Sequence, residues 1–127
     1  MSNEDKLTLN LADILNVHDT QEKDVDMRKY GWGGFVKIRS MTGEGRDAYE
    51  LSLYSEKDGK FSISRENMKA KLIAACAIDD KGVRMFKNSQ QIKILGDKSA
   101  AAINHLYEEC RQLNAISDKD VEELTGN

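Results

Sequence analysis

Proline is missing from all 127 residues, and with it go rigid polyproline spacers and proline-rich recognition motifs. Only two cysteines occur, Cys76 and Cys110, far apart and in no C-x-x-C pattern. A disulfide scaffold is therefore not expected, and both read as buried thiols. Two solitary histidines, His18 and His105, cannot complete the Cys/His ligand set that zinc requires. No run of about 18 apolar residues is present, which leaves no candidate for a membrane-spanning helix. The opening MSNEDKLTL lacks a basic flank leading into an apolar stretch, so neither secretion nor anchoring is expected and the protein reads as cytoplasmic. A basic excess is missing too: 19 Lys and Arg against 22 Asp and Glu leave a net charge of -3, which argues against a nucleic-acid-binding protein.

What remains is enough for one core. The length fits a single domain, 1–127, and 39% apolar residues can fill its interior. Residues 1–6 are polar up to Leu7 and are expected to be flexible. Asn10 and Asp13 have the spacing of a capping box, with Leu11, Ile14 and Leu15 on one helical face. His18 to Asp24 reads as a polar connection. Val25 and Met27 alternate with charges, and from Phe35 to Met41 the residues Val36, Ile38 and Ser40 share one face. Gly31-Trp-Gly-Gly34 between these stretches predicts a β-hairpin, since glycine accepts the positive φ of a tight reversal.

Thr42 caps a helix carrying Glu44 in its first turn and Ala48, Tyr49, Leu51 and Leu53 beyond, which should stop at Lys57-Asp-Gly-Lys60. A second helix should run from near Ser64 toward Ile78, with Met68, Leu72, Ala75 and Cys76 in its stripe. A turn at Asp79–Gly82 leads to a short strand, and Ser89–Leu95 forms a helix closed by Gly96. Ser99 to Asn114 has the clearest amphipathic pattern, with Ile103, Leu106, Tyr107, Cys110 and Leu113 along one side. The expected architecture is thus α+β, a small N-terminal β-hairpin region packed with several α-helices. Residues 117–127 stand apart. Asp118, Asp120, Glu122 and Glu123 against Lys119 equal the molecule's whole net charge. Ser117 and Asp120 favour a last helix, but Val121 and Leu124 are its only apolar side chains, so this acidic segment is expected to be weakly anchored.

Chemistry-bearing constellations are sparse. His18 lies in a polar connection, and His105 falls on the outward side of the long helix with Glu109 one turn away to pair with it. Thr42-Gly-Glu-Gly-Arg46 looks like a glycine-rich phosphate loop, yet it lacks the four-residue spacing and Lys-Ser/Thr of a P-loop and the third glycine of a dinucleotide fingerprint. Asp79-Asp-Lys-Gly82 and Lys57-Asp-Gly-Lys60 lack the alternating ligands and twelfth-position glutamate of a calcium loop and read as turns. No enzyme, cofactor or metal is expected. Trp32, between glycines, reads as the cap of a small core or as an aromatic offered to a partner.

From Trp32-Gly-Gly-Phe-Val-Lys-Ile-Arg-Ser-Met-Thr-Gly-Glu-Gly-Arg-Asp47 the sequence resembles the tail assembly chaperones of long-tailed, siphovirus-type bacteriophages, which commonly show W-G-x-x-V-x-V-R-x-L-T/S-x-x-E-R-D. Asn67–Cys76, Asp79–Phe86, Gly96–Ala102 and Leu113–Leu124 follow in the family's order, so the likeness spans Trp32 to Leu124. Gly45 stands where glutamate is more usual before Arg46, and Met41 where leucine is.

The resemblance implies a small α+β protein working in the host bacterial cytoplasm, phage- or prophage-encoded and absent from the finished particle. Its implied partner is the tape measure protein, whose long, partly apolar chain would be kept from premature association until the tube encloses it. A longer form made by programmed frameshifting, with contacts to the tail tube protein, is implied as well, and self-association is compatible with it. Val121 and Leu124 are the expected partner-binding residues, with Trp32 third. Two alternatives stay open: a structural tail completion or tube-associated virion protein, and a small enzyme or nucleotide-binding protein built on Thr42–Arg46.

Overall fold

The first hairpin forms where the glycines place it. In the computed structural model, which describes residues 6–125, β1 (Glu22–Asp26) pairs antiparallel with β2 (Phe35–Arg39), Val25 facing Val36 and Lys23 facing Ile38. A 3₁₀ turn at Arg28–Tyr30 and positive φ at Gly31 (81°) and Gly33 (78°) reverse the chain between them. The flexibility expected over 1–6 concerns residues outside the described ones, apart from Lys6, which is exposed.

Asp26 braces this reversal. Its carboxylate accepts from the backbone N of Arg28 at 3.0 Å and from the guanidinium Nε and Nη2 at 3.0 and 2.8 Å. Those hydrogen bonds, side chain first and backbone second, hold the Asp26 pKa down to about 2 from the ordinary 3.8. A carboxyl depressed in the folded state contributes stability above the unfolded value and loses it as pH falls from about 4 toward 2. Following Asp26 by NMR titration should therefore give a midpoint near 2 in the native protein. The variant Arg28→Ala should move the midpoint back toward the ordinary carboxylate range.

Thr42 caps α2 (Gly43–Ser52), its Oγ1 accepting from the N of Gly45 at 3.0 Å. Tyr49 and Leu53 are buried, whereas Leu51 is exposed. The helix does not reach Lys57. It ends at Ser52, and the next ten residues form a second hairpin, β3 (Tyr54–Lys57) with β4 (Lys60–Ile63). Asp58 and Gly59 sit at φ 56° and 76°, the doubly left-handed pair of a two-residue hairpin turn.

α3 (Met68–Cys76) starts later than Ser64 because the preceding residue, Asn67, is left-handed at φ 53°. Ala70, Leu72, Ile73, Ala74 and Cys76 are all buried, so this helix is covered on nearly every side rather than along one stripe. It passes directly into β5 (Ala77–Ile78), which adds to β2 antiparallel and gives the sheet order β1-β2-β5. The expected turn at Asp79–Gly82 follows, and Ile78 bridges to Arg84.

Asn88 caps α4 (Ser89–Gly96), whose last residue lies against α3: a methyl on Gly96 would stand 2.5 Å from Asn67 Oδ1. Ser99 caps α5 (Ala100–Leu113), which buries Ala102, Ile103, Leu106, Tyr107 and Cys110 on the predicted face. α3 packs on α5, and Val25, Ile38 and Ala77 join the same core from the sheet. The fold is α+β, with two small antiparallel sheets among the described residues.

At the C-terminal end α6 (Asp118–Thr125) has Val121 and Leu124 packed against the core, together with an exposed cap and an exposed ion pair. Ser117 and Asp120 exchange hydrogen bonds as a capping box, and Arg111 Nη1 reaches Asp118 at 2.7 Å. Ile116, just before it, is buried in the core.

At the other end α1 (Leu11–Leu15) has the Asn10–Asp13 box complete, yet none of its residues is buried. Leu7, Leu9, Leu11, Ile14, Leu15 and Val17 are all at least half exposed, with Leu7 at 82%. Nor does His105 pair with Glu109. It is half-buried against the ring of Tyr30, centroids 5.3 Å apart, while Glu109 pairs with Lys23 of β1.

Candidate functional site

The features that sequence singled out do not converge. Val121, Leu124 and Trp32 are all partly buried and packed against the core, so each has a covered side. Thr42–Arg46 is a capped helix start, with Arg46 N donating to Thr42 O at 2.8 Å. His18 is exposed. Asp79 turns its carboxylate back on its own loop, accepting from the N of Lys81 and Val83 at 2.8 and 3.0 Å. Cys76 and Cys110 are buried free thiols, and the hydrogen bond to Cys76, followed by burial, pushes the Cys110 thiol far above its ordinary range. Among the described residues no group of three or more His, Cys, Asp or Glu is placed to hold a metal ion, and no helix is long and apolar enough to cross a membrane.

What the structure does bring together is a groove of about 490 Å³ between the end of β2, α2, α3 and the segment leading into α4. Met41, Ala48, Ala75, Phe86 and Ile92 give it an apolar floor. Its charged lining is of one sign: Arg39, Lys71, Arg84 and Lys87 stand around it, and among the described residues no Asp or Glu lines it. Two of these cations are partly committed to backbone, Lys71 Nζ to Ser52 O at 3.2 Å and Arg84 to Ala74 O at 3.2 and 3.3 Å. Burial also raises the Tyr49 hydroxyl well above its ordinary pKa, so this groove residue stays protonated at neutral pH. An apolar floor inside a positive rim suits an amphipathic segment with carboxylates along its edge.

A second exposed feature lies on the β3–β4 hairpin. Tyr54 pairs with Ile63 and Glu56 with Phe61, which puts Tyr54, Ile63 and Phe61 on one face. Ile63 is partly buried against the core, whereas Tyr54 is 48% and Phe61 72% exposed. Sequence reading missed this surface because it takes Lys57–Lys60 as a helix stop and a turn, with no strands flanking it. The signal was the Asp58-Gly59 pair flanked by β-forming Tyr54, Phe61 and Ile63. The groove had no comparable signal, because its walls come from segments far apart in the chain.

Compared with protein-family models, curated proteins and solved structures, the chain matches none.

Proposed function

We propose that this chain is a tail assembly chaperone of a long-tailed bacteriophage, binding the tape measure protein in the host bacterial cytoplasm during tail morphogenesis and leaving before the virion is complete. The single observation that carries this reading beyond the motif resemblance is the apolar surface held outside the core: Tyr54 and Phe61 on a projecting hairpin, with Leu51 at its base 73% exposed. A chain that leaves aromatic and aliphatic side chains in water on a two-stranded hairpin has a surface suited to shielding another chain's apolar segments. The charged and polar residues around them, Glu56, Lys57 and Lys60, keep that contact reversible. In this proposal Val121 and Leu124 contribute through their uncovered sides, and a frameshifted longer form would carry the contacts to the tail tube protein.

Co-expression with the tape measure protein of the same gene cluster should yield a soluble complex. The double variant Tyr54→Ser, Phe61→Ser should cut the amount of client recovered at least tenfold while the chaperone itself stays folded. A client that remains insoluble with no bound chaperone across a range of salt concentrations would overturn the proposal. Mass spectrometry of purified virions separates the alternative, since a stoichiometric amount of this chain in the particle would make it a structural tail component.

A further inference from the structure

We propose that the groove is one end of a longer channel that binds an acidic, amphipathic segment of another protein, with apolar side chains on the floor and carboxylates on the rim. The groove adjoins a second concavity of about 390 Å³ beside α4. Lys71, Ser89 and Ile92 belong to the walls of both, so the two make one continuous channel from Arg39 at the end of β2 to Lys93 on α4. A channel of that extent fits a stretch of polypeptide better than a compact ligand, and its apolar floor favours side chains over a sugar-phosphate backbone.

Charge selects what lies in it. The chain is negative overall at -3, yet the channel is lined by Arg39, Lys71, Arg84, Lys87 and Lys93, with Glu66 at the far end its one acid among the described residues. The elements around it are sorted to that end. α2 carries Glu44, Asp47 and Glu50, but Gly45, Ala48, Tyr49 and Ser52 are the residues it turns to the groove, and α4 contains no acid at all. The cations keep donors in reserve. Lys71 gives one of its three ammonium N–H groups to Ser52 O, and Arg84 spends Nε and Nη2 on Ala74 O, which holds the guanidinium in place without neutralising it. Asp79 is near enough to feel Lys87, but its carboxylate is occupied by the backbone N of Val83 and Lys81. A segment bearing carboxylates meets a complementary rim, and a basic one is repelled.

The acidic parts of this chain do not meet that need. α6 is held on another face, where Val121 lines a separate hollow with Ile103 and Tyr107 and Asp118 pairs with Arg111. Residues 6–20 carry only -1, from Asp13 and Asp19 against Lys6, and Asp13 is tied into its capping box with Asn10. The occupant is therefore a separate chain, and the contact is distinct from the β3–β4 hairpin and independent of the client proposed for it.

Selection of a random displayed library of peptides about 12 residues long on the full-length protein should enrich sequences that mix Asp or Glu with Leu, Ile, Phe or Met. A labelled synthetic peptide of the enriched sequence should bind roughly tenfold or more weakly to the variant Arg39→Glu, Lys87→Glu and lose affinity as salt is added, while the hairpin variant Tyr54→Ser, Phe61→Ser leaves it unchanged. In the wild-type protein the same peptide should shift the NMR amide signals of Arg39, Ile92 and Lys93 ahead of those of the hairpin, a readout that needs no variant to fold. A selection that enriches nothing acidic, an affinity that survives charge reversal, or shifts centred on the hairpin would each overturn the proposal. So would displacement of the peptide by a synthetic copy of residues 6–20, which would make the channel an internal site, or by a single-stranded oligonucleotide, which would make it a polyanion site.

Discussion

Replacing Leu72 by alanine should lower the unfolding free energy by about 2–5 kcal/mol and the thermal midpoint by on the order of 10–20 °C. Leu72 is 1% exposed in the middle of α3, within the same core cluster as Ile38 of the sheet and Leu106 of α5. Truncation there loses the transfer free energy of the side chain and leaves a cavity that packed helices on several sides cannot close. Leu51→Ala provides the contrast. At 73% exposure on α2 it should change stability by no more than about 0.5 kcal/mol, so chemical denaturation of the two variants separates core from surface. Similar losses at both positions would mean that the α3 core is not organised as described.

A comparable effect is expected at Asn114, a polar hinge inside the packing. Its Oδ1 accepts from Met41 N at 2.7 Å, and its Nδ2 donates to Cys110 O at 2.8 Å and to Cys76 Sγ at 3.3 Å. One amide thereby ties the end of α5 to the approach to α2 and to the last turn of α3. Asn114→Ala strands the Met41 donor and should cost about 1–3 kcal/mol. Asn114→Asp keeps the shape but turns a donor into an acceptor facing a carbonyl and a sulfur. Its folded-state pKa must rise above the unfolded value of about 3.9, so the penalty is small below that pH and grows as pH rises through the folded value. Urea unfolding at pH 4 and pH 7 should show the Asp variant markedly worse at pH 7, and an equal penalty at both would contradict this geometry.

The parts of the fold legible in sequence are those governed by local side-chain-to-backbone chemistry. Asn10 with Asp13, Thr42, Ser99, and Ser117 with Asp120 all cap as their spacing indicates, and the Gly31–Gly34 reversal lies between the two strands it was expected to join. The face of α5 followed from its period, because a long helix averages over any one ambiguous residue. Three features escaped. Asn67 starts α3 from a left-handed conformation that nothing in its neighbours announces. Glu109 takes Lys23 of β1 as its partner from across the fold instead of His105 on its own helix, whose ring lies against Tyr30. The groove is a tertiary product of β2, α2, α3, β5 and the segment leading into α4, and its single sign of charge emerges only when Arg39, Lys71, Arg84 and Lys87 are brought to one rim. Among the site residues expected from sequence, Trp32, Val121 and Leu124 were recognisable as apolar anchors, but which of their sides would be covered depended on contacts no local pattern encodes.

The direct passage of α3 into β5 has a mechanical consequence. Met68 to Ile78 forms one continuous rod, helix and then strand, stitched to the sheet by β2 and to α5 by its buried face. The β3–β4 hairpin just before it is exposed at nearly every position and touches the core mainly through Ile63. Opening that flap breaks few apolar contacts, whereas moving the rod disrupts every layer at once. Residues 54–63 are therefore expected to open and reseal at lower free energy than the core, a compliance confined to the hairpin while the frame behind it stays rigid.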